Sequence, residues 1–436
     1  VKAQRIMHRR QFLSSAAAAI SAPAFGHAAQ PIRRLPNIVL IMADDLGYEC
    51  LACNGATQYR TPNLDRLAAQ GVRFTHAHST PLCTPTRVQL MTGKYNFRNY
   101  TEFGSLPSGE RTFAHHLKQA GYRTAVTGKW QLAGAIEGTQ YKGVGTLPEA
   151  AGFDEHCLWQ VRHRGSRYWN PTVQIDGRLQ RDRTGDFGPD IFAGFAQSFI
   201  ERHRQQPFFL YYPMVLTHDP FVPTPKSKIQ PTTDLQKSDP IWFADMVAYM
   251  DHVVGLIAGT LERHGIAENT VLLFTADNGT HPSITTATVN GPYQGGKGST
   301  TSAGTHVPLL ASWPGTAPRG SVCPDLLDFT DFFPTLSALA SLPMPEGHPC
   351  DGQSFLPQLR GESGTPRTHI YCDYNPRWGG FKPARWAMDH RWKLYGDGRF
   401  YDLSADLGEN RALQDVPVDA RDAAERLRSV LKLMRN

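Results

Sequence analysis

Long apolar runs are missing: no stretch reaches the roughly 18 to 20 consecutive apolar residues that a membrane-spanning helix needs, so no membrane span is expected. Net charge is slight as well. The formal charge is +6, and residues 1–29 hold four basic residues (Lys2, Arg5, Arg9, Arg10) and no acid, so without them 41 basic residues face 39 acidic ones. A chain this nearly balanced gives no electrostatic support to nucleic-acid binding, and no nucleic-acid partner is expected. Cysteine is sparse and odd in number: the seven lie at 50, 53, 83, 157, 323, 350 and 372, so in an exported protein at least one is free, modified or intermolecular. Cys50 and Cys53 form one C-x-x-C, but no second pair or His pair stands at zinc-finger spacing, and no structural zinc is expected there. Internal repeats are absent too. What is present is the balance of a folded protein, with 40% hydrophobic, 19% charged and 10% aromatic residues, which excludes a disordered or collagen-like chain. Its 436 residues allow two or three units, or one large domain with an appendage.

The missing acid at the N-terminus has its own meaning. Arg9-Arg10-Gln11-Phe12-Leu13 leads into an alanine-rich apolar stretch from Leu13 to Phe25, which resembles a twin-arginine export signal with cleavage after Ala28 or Ala29 and Met7 as a candidate start. An ordinary amphipathic helix is the competing reading, and the lack of any acid before Pro31 speaks against it. The export reading implies the twin-arginine machinery as a partner and a periplasmic or secreted location. It also implies folding before export, which allows cofactors loaded in the cytoplasm.

Further on, Asn37 to Met42 (NIVLIM) is a continuous apolar run that suits a buried parallel strand. Thr61 to Gln70 has helical spacing at Leu64, Leu67 and Ala68, with Thr61 as N-cap, Pro62 at the first position and Gly71 at the end. A helix at Arg111 to Ala120 then leads into a strand at Arg123 to Thr127. The alternation continues with a helix at Ile191 to Arg204, a strand at Phe208 to Tyr212, a helix at Ile241 to His264 and a strand at Val271 to Thr275. A strand at Val307 to Trp313 and an amphipathic Leu326 to Ala340 follow. This pattern predicts an α/β fold, a mostly parallel central sheet sandwiched by helices, with functional groups at the carboxyl ends of strands. Beyond residue 366, short aromatic runs (His369 to Tyr374, Trp392 to Tyr395, Arg399 to Leu403) and the helix Val418 to Met434 predict a small C-terminal antiparallel sheet plus helix. The boundaries are an export segment at 1–29, an α/β domain at 30–365 and a small subdomain at 366–436.

Two acidic clusters follow strands: Asp44-Asp45 after the first, and Asp277-Asn278 after Val271 to Thr275. An isolated Asp pair there is often a turn or cap, but its recurrence favours a cation site, and an all-oxygen set suits calcium or magnesium better than zinc. Cys83-Thr84-Pro85-Thr86-Arg87 puts a cysteine at the start of a helix, where backbone N–H groups favour anions, with an arginine one turn later. On residue types alone this is either a reactive thiol in an anion-binding loop or a buried cysteine beside a surface arginine. Gly291 to Gly298 (GPYQGGKG) nearly spells a phosphate-binding loop, but Gly298 takes the place of the hydroxyl that would meet magnesium, which rules out the nucleotide reading.

These blocks together resemble the type I, formylglycine-dependent sulfatases of the alkaline phosphatase superfamily, over almost all of the chain after the export segment. The matching segments are NIVLIMADDLGY at 37–48, C-x-P-x-R at 83–87 with LMTGKY, TGKW at 127–130, THDPF at 217–221, TADNG at 275–279 with GGKG at 295–298, and FYDLSADLGENRAL at 400–413. The resemblance implies hydrolysis of sulfate esters of a sulfated small molecule or sulfated carbohydrate. It implies that a formylglycine maturation enzyme oxidises Cys83 to formylglycine, whose hydrate offers one oxygen to attack sulfur and another to expel sulfate. Thr86 replaces the usual serine and keeps the hydroxyl. Asp44, Asp45, Asp277 and Asn278, with the modified Cys83, match the ligands of Ca2+, with Mg2+ as the alternative. Arg87, Lys129, His218 and Lys297 match the family's other charged pocket residues, with His218 protonating the leaving alcohol. As an isolated residue, Lys129 could equally be a surface lysine, and His218 a loop histidine.

The chain departs from the family where K-W-H is usual, since Lys129-Trp130-Gln131 stands there. Gln131 can bind the substrate site through hydrogen bonds but cannot take a proton at neutral pH. His281 is a candidate substitute base, with a polar loop residue as the competing reading. His306 replaces an arginine common in relatives. Trp159, Arg162, Arg164, Tyr168, Trp169, Trp378 and Arg385, in or near loops, are candidates for a carbohydrate subsite, against the alternative of ordinary packing. Two other functions compete: a phosphodiesterase or phosphonate monoester hydrolase of the same superfamily, and a degenerate non-catalytic sulfatase-like binding protein, which only Gln131 supports. Protein from a host with maturation enzymes should show the aldehyde in the tryptic peptide Phe74 to Arg87 by mass spectrometry. An active preparation holding only the thiol would refute the formylglycine expectation.

Overall fold

The computed structural model describes Val1 and residues 34–137, 140–181, 183–229 and 234–434. The expected export segment at 1–29 lies outside the described residues apart from Val1. The chain divides into Val1–Arg34 and a unit of Leu35–Asn436, and the following concerns the second. In chain order its strands are β1 (Asn37–Ala43), β2 (Val72–His78), β3 (Arg123–Lys129), β4 (Glu155–Trp159), β5 (Val173–Ile175), β6 (Arg178–Gln180), β7 (Phe208–Pro213) and β8 (Thr270–Ala276). They continue as β9 (Thr285–Thr288), β10 (Gly291–Gln294), β11 (His306–Ser312), β12 (Ser321–Asp328), β13 (Ile370–Tyr374), β14 (Ala384–Met388), β15 (Trp392–Tyr395) and β16 (Phe400–Asp402).

The central sheet has the order β12-β2-β11-β8-β1-β7-β3-β4-β5-β6. Its middle, β8-β1-β7-β3-β4, is parallel throughout. β12 is also parallel to β2, whereas β11, β5 and β6 are antiparallel to their neighbours. β1, β7 and β8 are buried along their whole length, as their unbroken apolar sequences require when both faces are covered. Two groups of helices flank the sheet: Pro62–Gln70, Gly188–His203 and Phe243–Arg263 pack together, as do Cys83–Thr92, Phe113–Gln119 and Phe332–Leu339. The segment Pro240–Arg263 is long and apolar enough to cross a membrane by length and composition. Its Met246, Val247, Met250, Val253 and Val254 are buried in the common core, so here it serves as a core helix.

Two local expectations need correction. Thr61 occupies the N-cap position, but its hydroxyl donates to Asp65 (3.1 Å) and accepts from the Ala52 N–H (2.9 Å), so it does not cap the helix. The first N–H groups of that helix are met by Asp251 from the neighbouring helix, at 3.2 Å from Asn63 and 2.8 Å from Leu64. Leu326 to Ala340 is not one amphipathic helix, because Leu326 to Asp328 finish β12 and the helix begins only at Phe332, after Asp328 and Asp331 form a capping box. β2 was unassigned although Val72 and Phe74 alternate with polar residues, and β14 was missed within the C-terminal group.

β13 to β16 form an antiparallel sheet backed by the helix Arg421–Leu433, as expected for the C-terminal segment. One apolar cluster joins its Ile370, Tyr374, Trp386 and Tyr395 to Leu82, Cys83 and Phe103, so the small sheet covers the start of the helix Cys83–Thr92. Lys393 on β15 is fully buried, and its ammonium donates to Glu409 (2.7 Å) and to the Thr300 carbonyl (2.5 Å). Burial lowers the lysine pKa and Glu409 opposes the shift. Removing one partner of such a pair costs roughly 3 to 5 kcal/mol. Glu409→Ala should therefore lower the urea midpoint markedly and slow turnover, because Thr300 lies three residues beyond Lys297. A wild-type midpoint and rate together would refute that coupling.

Candidate active site

The expected site residues arrive from separate elements at one end of the sheet. β1 delivers Asp44 and Asp45, and β8, its parallel neighbour, delivers Asp277 and Asn278, because the register pairs Ala43 with Ala276. All four are fully buried. β3 ends at Lys129, and His218 lies in the loop after β7. Gly128 carries φ +113, and a Cβ there would lie 2.1 Å from the Pro213 carbonyl, so glycine is required where β3 and β7 close up behind Lys129. Cys83 opens the helix Cys83–Thr92 and is 2% exposed. Thr86 Oγ1 accepts from the Thr80 N–H (3.1 Å) and lies 2.9 Å from the Leu82 carbonyl, which fixes the turn ahead of Cys83.

Opposite charges interlock there. Arg87 donates from Nε and Nη2 to Asp277 Oδ2 (3.1 and 2.8 Å) and from Nη1 to the Lys129 carbonyl (3.3 Å). Lys129 Nζ donates to both oxygens of Asp44 at 2.8 Å. Lys297 Nζ donates to Asp45 Oδ2 (2.6 Å) and to His218 Nε2 (2.9 Å), while His218 Nδ1 faces Asp219 Oδ1 at 3.0 Å. That pattern sets the tautomer: Nδ1 carries the proton and Nε2 accepts from the ammonium. Cys83 Sγ donates to Gln131 Oε1 at 3.7 Å, and Gln131 Nε2 donates to the Tyr141 hydroxyl. Gln131 has φ +52, a left-handed conformation uncommon outside glycine.

The electrostatics follow from these contacts. Burial alone would raise Asp44, but Lys129, His218, Arg87 and Arg167 overrule it and hold the carboxyl far below its usual range. Asp277 goes the other way, raised by burial and by the charge of Asp44. Burial lowers His218, with Asp45 partly opposing and Lys297 reinforcing the shift. Burial likewise raises the Cys83 thiol, so an unmodified Cys83 is a protonated thiol and a weak nucleophile, which disfavours the reactive-thiol alternative.

The donors fit a hard divalent cation. Asn278 Oδ1 is buried with no hydrogen-bond partner among the described residues, while its Nδ2 donates to Asp45 Oδ1 at 2.9 Å. Asp44, Asp45 and His218 hold candidate ligand atoms within 4.8 Å of one another. Calcium and magnesium are hard cations that take oxygen ligands, so the oxygen set of Asp44, Asp45, Asp277 and Asn278 is the better match for them than a set including the His218 ring nitrogen. Among these, Asp277 Oδ1 also accepts the Asp45 N–H at 3.1 Å.

The other candidates separate clearly. His281 turns its Nδ1 to Ser283 (2.8 Å) and does not line the cavity over Cys83, so it is not placed as a base. His306 stacks on Tyr48 (4.2 Å) and His78 (4.9 Å) and donates to the Thr75 carbonyl (2.8 Å), while burial pushes its pKa down to about 4. It is a neutral packing residue away from that cavity. Trp159, Arg164 and Trp378 do line the cavity, which measures about 410 Å³. Tyr168 and Trp169 instead tie down the His218 loop, by hydrogen bonds to the carbonyls of His218 (2.6 Å) and Pro223 (2.8 Å). Arg162 and Arg385 do not line it; Arg385 borders a separate cleft with Tyr374 and Arg399. Phe103, Tyr141, Gln160 and Arg167 line it but were missed, since nothing in their local spacing marks them.

The family model for sulfatases matches residues 36–342. The N-acetylgalactosamine-6-O-sulfatase of Bacteroides thetaiotaomicron is 30% identical to this chain, over 91% of it and 93% of that protein. Human arylsulfatase A is 33% identical over 78% of this chain and 71% of its own length. A solved structure from a glycosaminoglycan-metabolising locus of Bacteroides thetaiotaomicron superposes with a TM-score of 0.74 at 27% identity, covering 92% of this chain and 99% of that one. Phosphonate monoester hydrolase of Agrobacterium radiobacter shares the fold at a TM-score of 0.64 and 23% identity, over 92% and 95% of the two chains.

Asp277→Asn keeps an acceptor for Arg87 while removing a charge, and so separates ligation from folding. It should lower bound calcium, read by atomic emission, and reduce turnover by more than the roughly 10- to 100-fold typical of an outer-shell change. Wild-type metal content and rate would count against the assigned ligand set.

Proposed function

Because this chain belongs to the sulfatase family, whose members are sulfuric ester hydrolases, we propose that it cleaves the sulfate ester of a sulfated saccharide through a formylglycine derived from Cys83, with Ca2+ or Mg2+ as cofactor. The observation that carries this reading is the placement of Cys83 at a buried helix start, within electrostatic reach of Lys129, Lys297, Asp44 and Asp277. Its Sγ stands where the oxygens of the oxidised residue would be. That residue would supply, as a hydrate, one oxygen to attack sulfur and a second to release the bound sulfate. A cation held by Asp44, Asp45, Asp277 and Asn278 would supply Lewis-acid charge.

The chain's own groups set the rest of the mechanism. Lys129 and Lys297 place fixed positive charge beside Cys83, where negative charge gathers on sulfate oxygens in the transition state. The hydrogen-bonded pair of Lys297 and His218 supplies the proton for the departing alcohol oxygen, with Asp219 holding the imidazole in place. Arg87 spends its donors on Asp277 and the end of β3, and so is a positioning residue. Gln131 points an amide oxygen at Cys83 because its nitrogen is committed to Tyr141. It orients a hydroxyl there without removing its proton.

The saccharide reading rests on the cavity wall. Phe103 and Trp378 stack at 4.8 Å with an interplanar angle of 12°, and Tyr141 tilts against both, giving aromatic surface for the apolar side of a sugar ring. The bacterial relative is named for N-acetylgalactosamine 6-O-sulfate, which makes a 6-O-sulfated N-acetylhexosamine the first substrate to test. Maturation in the cytoplasm followed by twin-arginine export to the periplasm or beyond is consistent with residues 1–29.

The shared fold leaves phosphonate monoester hydrolysis as the second reading, and a matched pair of aryl esters separates them. The aryl sulfate should be cleaved with a kcat/KM at least about tenfold above the phosphonate, and the reverse ranking would overturn the proposal. Gln131→Ala should lower turnover less than about tenfold and Gln131→His should be tolerated. A loss as complete as that of Cys83→Ala would show that the amide takes a direct catalytic part.

A further inference from the structure

Arg167, in the loop between β4 and β5, belongs to no motif that identifies the chemistry, yet it reaches the centre of the cavity. Its guanidinium lies over the Trp159 ring, 4.0 Å from the centroid, in cation–π contact. Its side chain is only 12% exposed. Nη1 is buried and has no hydrogen-bond partner. The nearest carboxylate oxygen, Asp44 Oδ2, lies 3.5 Å away outside hydrogen-bond geometry, and Asp44 already accepts two bonds from Lys129. A buried guanidinium N–H without an acceptor is costly, so Nη1, which has a charge partner in Asp44 but no hydrogen-bond acceptor among the described residues, can still take one from a ligand.

Ligand chemistry can provide it. Among the described residues the cavity wall includes Arg164, Arg167 and Lys297 but no carboxylate, with the amides of Gln131, Gln140 and Gln160 around them. Lys297 and His218 line the cavity beside Cys83, where the proposed reaction puts the sulfate ester, so Arg167 is a further cation available to a second anion. A planar fork held against an aromatic ring is the arrangement that binds a carboxylate or sulfate oxygen pair in two parallel hydrogen bonds. Arg164, exposed at the rim three residues earlier, adds positive charge on the same side.

We propose that Arg167 is a specificity-determining residue that binds a second anionic group of the substrate, so that the preferred saccharide carries a carboxylate or a further sulfate beside the sulfate ester that is cleaved. This rests on the sulfatase reading for the location of the reacting sulfate, and it is tested by binding so that the two can fail separately. In a Cys83→Ala background, which cannot form formylglycine, calorimetry would compare three probes. These are an N-acetylhexosamine 6-sulfate, a uronate-containing disaccharide with the same 6-sulfate, and a disulfated hexosamine.

With Arg167 present, at least one of the doubly anionic probes should bind about tenfold or more tighter than the monosulfated sugar, and the one preferred identifies the second group as carboxylate or sulfate. Arg167→Gln should bring that ratio close to one, and Arg167→Lys should restore it only in part, since an ammonium lacks the fork. Equal affinity for all three probes with Arg167 present would overturn the proposal, even if both variants misfold. So would an Arg167→Gln protein that binds every probe more weakly by one common factor, because Arg167 would then serve only the reacting sulfate or Asp44. Failure of the mature wild-type enzyme to cleave any sulfate ester would refute the sulfatase reading and leave the binding ratio to be judged separately.

Discussion

The structure depends on a conflict between like charges. β1 and β8 run side by side in register, so the acids that follow them are brought together in a buried corner. Two unit charges about 4 Å apart interact by roughly 4 kcal/mol even at an effective dielectric near 20, and so this corner must be neutralised from elsewhere. Arg87 arrives one turn into the helix that Cys83 begins, and Lys129 arrives at the end of β3. Both cations are themselves buried, and the acids are their charge partners there. The two sides of the cluster therefore hold each other in place, with Cys83 between them.

The same requirement explains why the small C-terminal sheet packs where it does. The apolar residues of β13, β14 and β15 pack on the beginning of the Cys83 helix in one cluster with Leu82 and Cys83. Lys393 then reaches from β15 to the Thr300 carbonyl, close in sequence to Lys297, and Glu409 neutralises it. A second buried knot repeats the device: Arg367 donates to Asp331 at 2.8 Å and to the Tyr95 hydroxyl at 3.1 Å, tying the segment before β13 to the end of β12. The C-terminal segment also reaches the cavity directly, through Trp378 and Phe381 in its wall.

Gln131 shows how a substitution in a charged site is accommodated. A histidine at that place could exchange protons, whereas the amide is fixed in one orientation by Tyr141 and held on a left-handed backbone. The neighbouring N–H of Gln131 bonds the Gln160 carbonyl at 3.1 Å, which links this turn to the loop that carries Arg167.

The α/β class, the covered strands and the acids at their ends were legible in the sequence because each is a local property. Unbroken apolar runs such as NIVLIM require burial on both faces, and an acid just past such a run has to sit at a strand end. Cys83, Arg87, Lys129, His218 and Lys297 were legible as a set through short motifs, although their mutual distances were not. Other features were decided only by the tertiary structure: the capping of the helix at Pro62 by Asp251, the use of Arg87 as a brace for Asp277, the exile of His281 and His306, and the entry of Tyr141 and Arg167 into the cavity. The physical reason is that a motif records which groups are available, whereas a hydrogen bond or ion pair depends on where distant parts of the chain meet. Arg162, Arg164 and Arg167 share one arginine-rich loop and look alike in sequence, and only the folded loop sets Arg167 over the Trp159 ring at the end of β4.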